Sequence, residues 1–88
     1  MAVIIKPFFM QFNLINGTYN RLEALEILTR MVQVKIEFHE DHILHTTDEE
    51  DRKMREQRIK ELHSDLRRMR REIDKAEGRI AISATVKI

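Results

Sequence analysis

The sequence predicts an α+β fold: a long antiparallel helical hairpin flanked by an N-terminal and a C-terminal β-strand, in the order β-α-α-β. Three observations predict it. The two ends of the chain are rich in β-branched residues at alternating positions, a helix start signal stands at Asn20, and a seven-residue apolar repeat runs through the second half. The 88 residues form one domain over 1–88.

The first strand is expected over residues 3–15, closed by the turn dipeptide Asn16-Gly17. Strict alternation puts Ile4, Phe8, Met10, Phe12 and Leu14 on one face and Val3, Ile5, Phe9 and Ile15 on the other. Both faces are then apolar and both need covering. Pro7 has no amide proton to give, so that stretch suits a sheet edge or a bulge.

The first helix is expected over 21–44. Asn20 is its N-cap and Glu23, three residues on, completes a capping box. Leu22, Leu25, Val32, Ile36 and Ile43 form one apolar stripe, and Ile27, Met31, Val34 and Phe38 a second. The second helix is expected over 48–77. Thr46 or Thr47 is the expected cap, with acids crowding the first turn, where the helix dipole favours them. Ile59, Leu62, Leu66, Met69, Ile73 and Ala76 alternate steps of three and four, the spacing of a coiled-coil seam. Gly78 is the expected stop. A second strand follows over 79–88, with Ile80, Ile82, Ala84, Val86 and Ile88 facing in.

The strands are expected to pair antiparallel. A two-stranded ribbon alone is marginal in water, and a chain this small hides only about 60% of its unfolded surface. A homo-oligomer, a dimer in its simplest form, is therefore expected to extend the sheet or join the hairpins. Val3, Ile5, Phe9, Ile27, Met31 and Phe38 are its candidate contacts.

Composition narrows the function. No cysteine is present, which excludes disulfides and thiolate metal sites and suits the cytoplasm. The apolar run in residues 1–15 is broken by Lys6, Pro7, Gln11 and Asn13 and is too short for a membrane span, so no membrane association is expected. No serine or threonine sits in a recognisable nucleophile–base pattern, so no enzymatic activity and no cofactor are expected.

Two stretches carry polar chemistry. "FHEDHILH" (38–45) holds His39, His42 and His45 beside Asp41. On a helix, His39 and His42 share a face, as do His42 and His45, but His39 and His45 do not. The spacing is one residue short of the His-Glu-x-x-His zinc motif. The reading that fits is a helix end, where histidines complement the dipole and meet free carbonyls; metal binding is the lesser alternative. Charge supplies the second feature. Residues 1–51 carry four basic and nine acidic side chains, a balance of −5, and residues 52–88 carry twelve and six, a balance of +6. Lys60, Arg67, Arg68, Arg71 and Lys75, extended by Lys53, lie on the expected outer face of the second helix. Interleaved acids favour a solvated or internally paired face; a polyanion, nucleic acid above all, is the alternative partner. The functional expectation is a non-enzymatic homo-oligomeric assembly protein with room for a protein partner.

Overall fold

A computed structural model describes residues 10–88. Four elements follow in the expected order: β1 (Gln11–Tyr19), α1 (Arg21–His45), α2 (Glu49–Lys75) and β2 (Ile80–Lys87). The strands form one antiparallel ribbon and the helices an antiparallel hairpin. Val3, Ile5, Phe9 and Pro7, with the part of the first strand placed at 3–9, lie outside the described residues.

The first strand departs from expectation in two ways. Asn16-Gly17 does not turn the chain. Asn16 pairs with Ser83 and Gly17 with Ile82, and the strand continues to Tyr19. Cross-strand pairing overrides the local turn preference, and Gly17 leaves room for the Tyr19 ring, whose hydroxyl oxygen would stand 3.1 Å from a Cβ there. The second departure is a bulge. Asn13 pairs with Thr85 but Ile15 with Ala84, so Leu14 is an extra residue on β1. A bulge shifts the alternation by one.

The shift reassigns the faces. Paired residues share a face, so Phe12, Ile15, Gly17 and Tyr19 lie with Val86, Ala84, Ile82 and Ile80. The opposite face carries Gln11, Asn13, Asn16 and Thr18 with Lys87, Thr85, Ser83 and Ala81. There Thr85 Oγ1 donates to Asn13 Oδ1 at 3.3 Å and Arg79 Nη2 to the Thr18 carbonyl at 2.8 Å. Among the described residues the ribbon therefore has one apolar face and one polar face; Ile15 moves to the face of Phe12, and the rest of the expected second apolar face, Val3, Ile5 and Phe9, lies outside the described residues.

The helix starts differ in how they are capped. Asn20 accepts from the Glu23 amide at 2.8 Å and Glu23 Oε1 from the Asn20 amide at 3.1 Å, the reciprocal box expected. At α2 the cap is Asp48, not a threonine: its Oδ1 accepts from the Glu50 amide at 2.9 Å and the Asp51 amide at 3.5 Å. Thr46 instead caps Asp48, accepting its amide at 3.2 Å. α2 ends at Lys75, two residues short of the expected 77. Ala76 is already extended, and Gly78 takes its positive φ of 78° in the link to β2.

The core has two small parts. Val32, Ile36 and Leu62 are buried along the hairpin, with Ile59, Leu66 and Met69 against them, so the heptad seam packs on the first stripe of α1 as its spacing requires. At the base, Ala24, Ile73 and Ile82 tie both helices to the ribbon, joined by Ile15, Tyr19, Leu25, Leu28 and Ile80. Ala24 has no exposed surface at all; its methyl group is what lets the ribbon approach α1. The ribbon meets only the first two turns of α1, and its far end carries on uncovered.

Candidate interaction surfaces

Three features of the surface bear on function. The first is the cluster near the hairpin turn. Arg55 Nε donates to both Asp51 carboxylate oxygens at 3.2 Å, and its Nη1 stands 3.1 Å from His39 Nδ1. A guanidinium has no lone pair to offer, so His39 Nδ1 accepts and the ring carries its proton on Nε2. The same guanidinium lies 5.8 Å from the Phe38 ring centroid, and Phe38 lies 4.4 Å from the His42 ring. Arg55 thus fastens α2 to α1 at the closed end of the hairpin.

His42 and His45 do what helix-end histidines do. Their Nδ1 atoms lie 3.0 and 2.8 Å from the carbonyls of Phe38 and Asp41, and His45 stands 3.8 Å from the Asp41 carboxylate. Among the described residues, no three His, Asp or Glu side chains are placed to hold a metal ion. The lone pair of His39 is already engaged by Arg55.

This arrangement sets a pH dependence. Burial first, and then the charge of Arg55, hold the His39 pKa below its usual 6.5. A lowered histidine pKa means that the folded form binds fewer protons than the unfolded one near neutrality. The stabilisation is complete above pH 6.5 and is lost as pH falls below that toward the lowered value. Asp51 adds a second, more acidic window. Desolvation raises its pKa, but hydrogen bonds from Arg55 and Thr46 and the Arg55 charge outweigh it and hold the carboxyl below 3.8. Its contribution is present above 3.8 and is lost as pH falls through the lowered value. Thermal midpoints at pH 8.0, 6.5 and 5.5 are expected to fall through the last interval, and His39→Gln is expected to flatten that step. An unchanged step in the variant would remove His39 as its cause.

The second feature is the open apolar side. Six side chains among the described residues are buried, while Met10, Phe12, Leu14, Leu22, Val34, Phe38, Leu44, Met54 and Ile88 remain largely exposed. Met10, Phe12 and Ile88 share the apolar face at the far end of the ribbon, where Met10 and Ile88 exchange backbone hydrogen bonds at 2.7 and 2.8 Å. On α1, Ile27 and Met31 are half-buried and Phe38 is exposed, with only the Arg55 guanidinium over its ring. A groove of 580 Å³ runs between the helices, floored by Val32, Leu62 and Ile73 and rimmed by Met31, Lys35, Asp65 and Arg68.

The third feature is the cation distribution on α2. The five basic residues expected on its outer face separate into two groups. Arg68 pairs with Asp65 at 3.3 Å and Lys75 with Glu72 at 3.7 Å. Lys60, Arg67 and Arg71 have no carboxylate partner among the described residues, and neither do Lys53 and Arg70. Arg70 was missed in the sequence because it sits at the edge of the outer arc; only the pairing of its neighbours singles it out. The Glu56–Lys60 spacing that suits a local pair does not form one. Every ion pair among the described residues joins residues three or four apart on one helix, so beyond Glu49 and Asp51 at the start of α2 the acidic first half does not neutralise the basic second half.

No helix among the described residues is long and apolar enough to cross a membrane. Comparison with protein-family models, with curated proteins and with solved structures returned no match to this chain.

Proposed function

We propose that the protein is a non-enzymatic assembly module that works as a homodimer in the cytoplasm, two copies closing over each other's open apolar side. The observation that carries this reading is the imbalance between the small core and the large uncovered apolar surface. A compact chain of 10.6 kDa exposes about 5,500 Å², whereas this one exposes 7369 Å². The excess reflects an open, elongated hairpin, and the nine large apolar side chains exposed on it among the described residues, against six that are buried, are what a second copy would cover. The radius of gyration of 17.1 Å makes the same point against the ~12 Å of a compact chain of this length.

The surface that a second copy would cover has two parts. It includes the far end of the ribbon, with Phe12 and Ile88, and the second stripe of α1, with Ile27, Met31 and Phe38. The rims of the groove carry Lys35 and Arg68 beside Asp65 and Glu72, charges of both signs that suit a self-complementary contact. A two-stranded ribbon that is marginal alone gains a second layer in this way. Native mass spectrometry of the full chain is expected to give twice 10.6 kDa. A monomer that persists at every concentration would overturn the proposal.

A further inference from the structure

α2 carries ten basic side chains, and the structure divides them evenly. Arg52, Arg55, Arg58, Arg68 and Lys75 each reach a carboxylate three or four residues away on the same helix. Lys53, Lys60, Arg67, Arg70 and Arg71 do not. The unpaired five are not scattered. Lys53, Lys60 and Arg67 recur every seven residues and Arg71 follows four later, so these four fall within roughly 40° of the helix circumference. That arc lies opposite the seam of Ile59, Leu62, Leu66, Met69 and Ile73, and Arg70 flanks it. At ~1.5 Å per residue the track is about 27 Å long.

At its C-terminal end, Arg67, Arg70, Arg71 and Asp74 line a shallow hollow of 240 Å³. Three guanidinium groups and one carboxylate leave that hollow with a net positive charge. Arg67 and Arg71 are four apart and Arg67 and Arg70 three apart, spacings at which like charges repel and weaken a helix. No carboxylate forms an ion pair with any of the three among the described residues, and no acid of α1 reaches across to them.

We propose that this track binds the phosphate backbone of nucleic acid, with Arg67, Arg70 and Arg71 as its densest part and Lys60 and Lys53 continuing it. A linear row of cations on a straight helix matches a linear array of phosphates, which in a duplex presents one charge every ~1.7 Å of axis. A membrane surface fits less well. Helices that lie on lipid insert large apolar residues beside their cations, and the positions between these cations are Glu56, Gln57, His63 and Ser64. α2 contains no Phe, Tyr or Trp, so no base stacking is available and recognition is of the backbone, without sequence preference. The track lies away from the seam and does not depend on the dimer.

The test is fluorescence anisotropy of the full chain with two labelled DNA duplexes of unrelated sequence, at low and at physiological salt. The native protein is expected to bind both duplexes alike, and to weaken steeply as salt rises. The triple variant Arg67→Gln, Arg70→Gln, Arg71→Gln is expected to lose at least about tenfold in affinity, and its log–log salt slope is expected to shrink by roughly 2–3. The matched variant Arg52→Gln, Arg58→Gln, Lys75→Gln removes the same charge from paired positions and is expected to bind nearly as the native protein does. Circular dichroism confirms that both variants fold. Equal losses in the two variants would overturn the proposal, since net charge alone would then explain binding. No binding at low salt, or binding to anionic vesicles without binding to either duplex, would overturn it as well.

Discussion

Phe12→Asp and Phe38→Asp are each expected to convert the proposed dimer to a folded monomer. In the single chain both rings are already open to water, 41% and 56% exposed. Substitutions at such positions change the stability of an isolated chain by about 0.5 kcal/mol or less. The same change under a partner removes a buried aromatic anchor and leaves a carboxylate without water, a loss of about 2–4 kcal/mol or more. That corresponds to at least ~30-fold in dissociation constant. Phe12 lies on the ribbon and Phe38 on α1, so the two variants probe different parts of the proposed contact. Sedimentation equilibrium reads the mass and far-ultraviolet circular dichroism reads the helices. A dimer that survives both substitutions would show that the open side is not the contact. Loss of helix content would show instead that the rings serve the fold of the single chain.

The elements that the sequence announces most clearly are those whose signals are local. The Asn20–Glu23 box needs only residues three apart and forms as the spacing requires. The seam from Ile59 to Ile73 is also a one-helix property, and every member packs inward. What could not be read depends on a partner strand or on competition between neighbours. Asn16-Gly17 favours a turn by itself, but Ser83 and Ile82 arrive opposite and hold it extended. The extra residue at Leu14 leaves no mark on β1, because a bulge exists only relative to the other strand. It moved Ile15 to the face of Phe12 and left Asn13, Asn16 and Thr18 on a wet side. Thr46, Thr47 and Asp48 all suit a cap, and only the geometry of the hairpin link decides for Asp48. The basic stripe was legible as a composition but not as a site: which cations are free depends on which acids their rotamers reach.

Leu62→Ala is expected to bring the hairpin to the edge of unfolding. Leu62 is 3% exposed and sits midway along the seam against Val32 and Ile36, with Ile59, Leu66 and Met69 around it. Truncating a leucine in such a place costs about 2–5 kcal/mol, through lost burial and the cavity left behind. Domains of ordinary size hold only ~5–15 kcal/mol in all, and a chain with so small a core belongs at the low end. A monomer with this substitution is expected to be largely unfolded at room temperature. Association changes the outcome, because unfolding of a dimer also separates two chains, and each tenfold rise in concentration adds about 1.4 kcal/mol to the folded side. Thermal melts of Leu62→Ala at low and at hundredfold higher concentration are therefore expected to differ in midpoint by several degrees, the concentrated sample melting later. Combining Leu62→Ala with Phe12→Asp is expected to abolish that dependence together with the fold. A midpoint that does not move with concentration in the single variant would mean that the hairpin stands on its own core, and that the exposed apolar side contributes nothing to holding it folded.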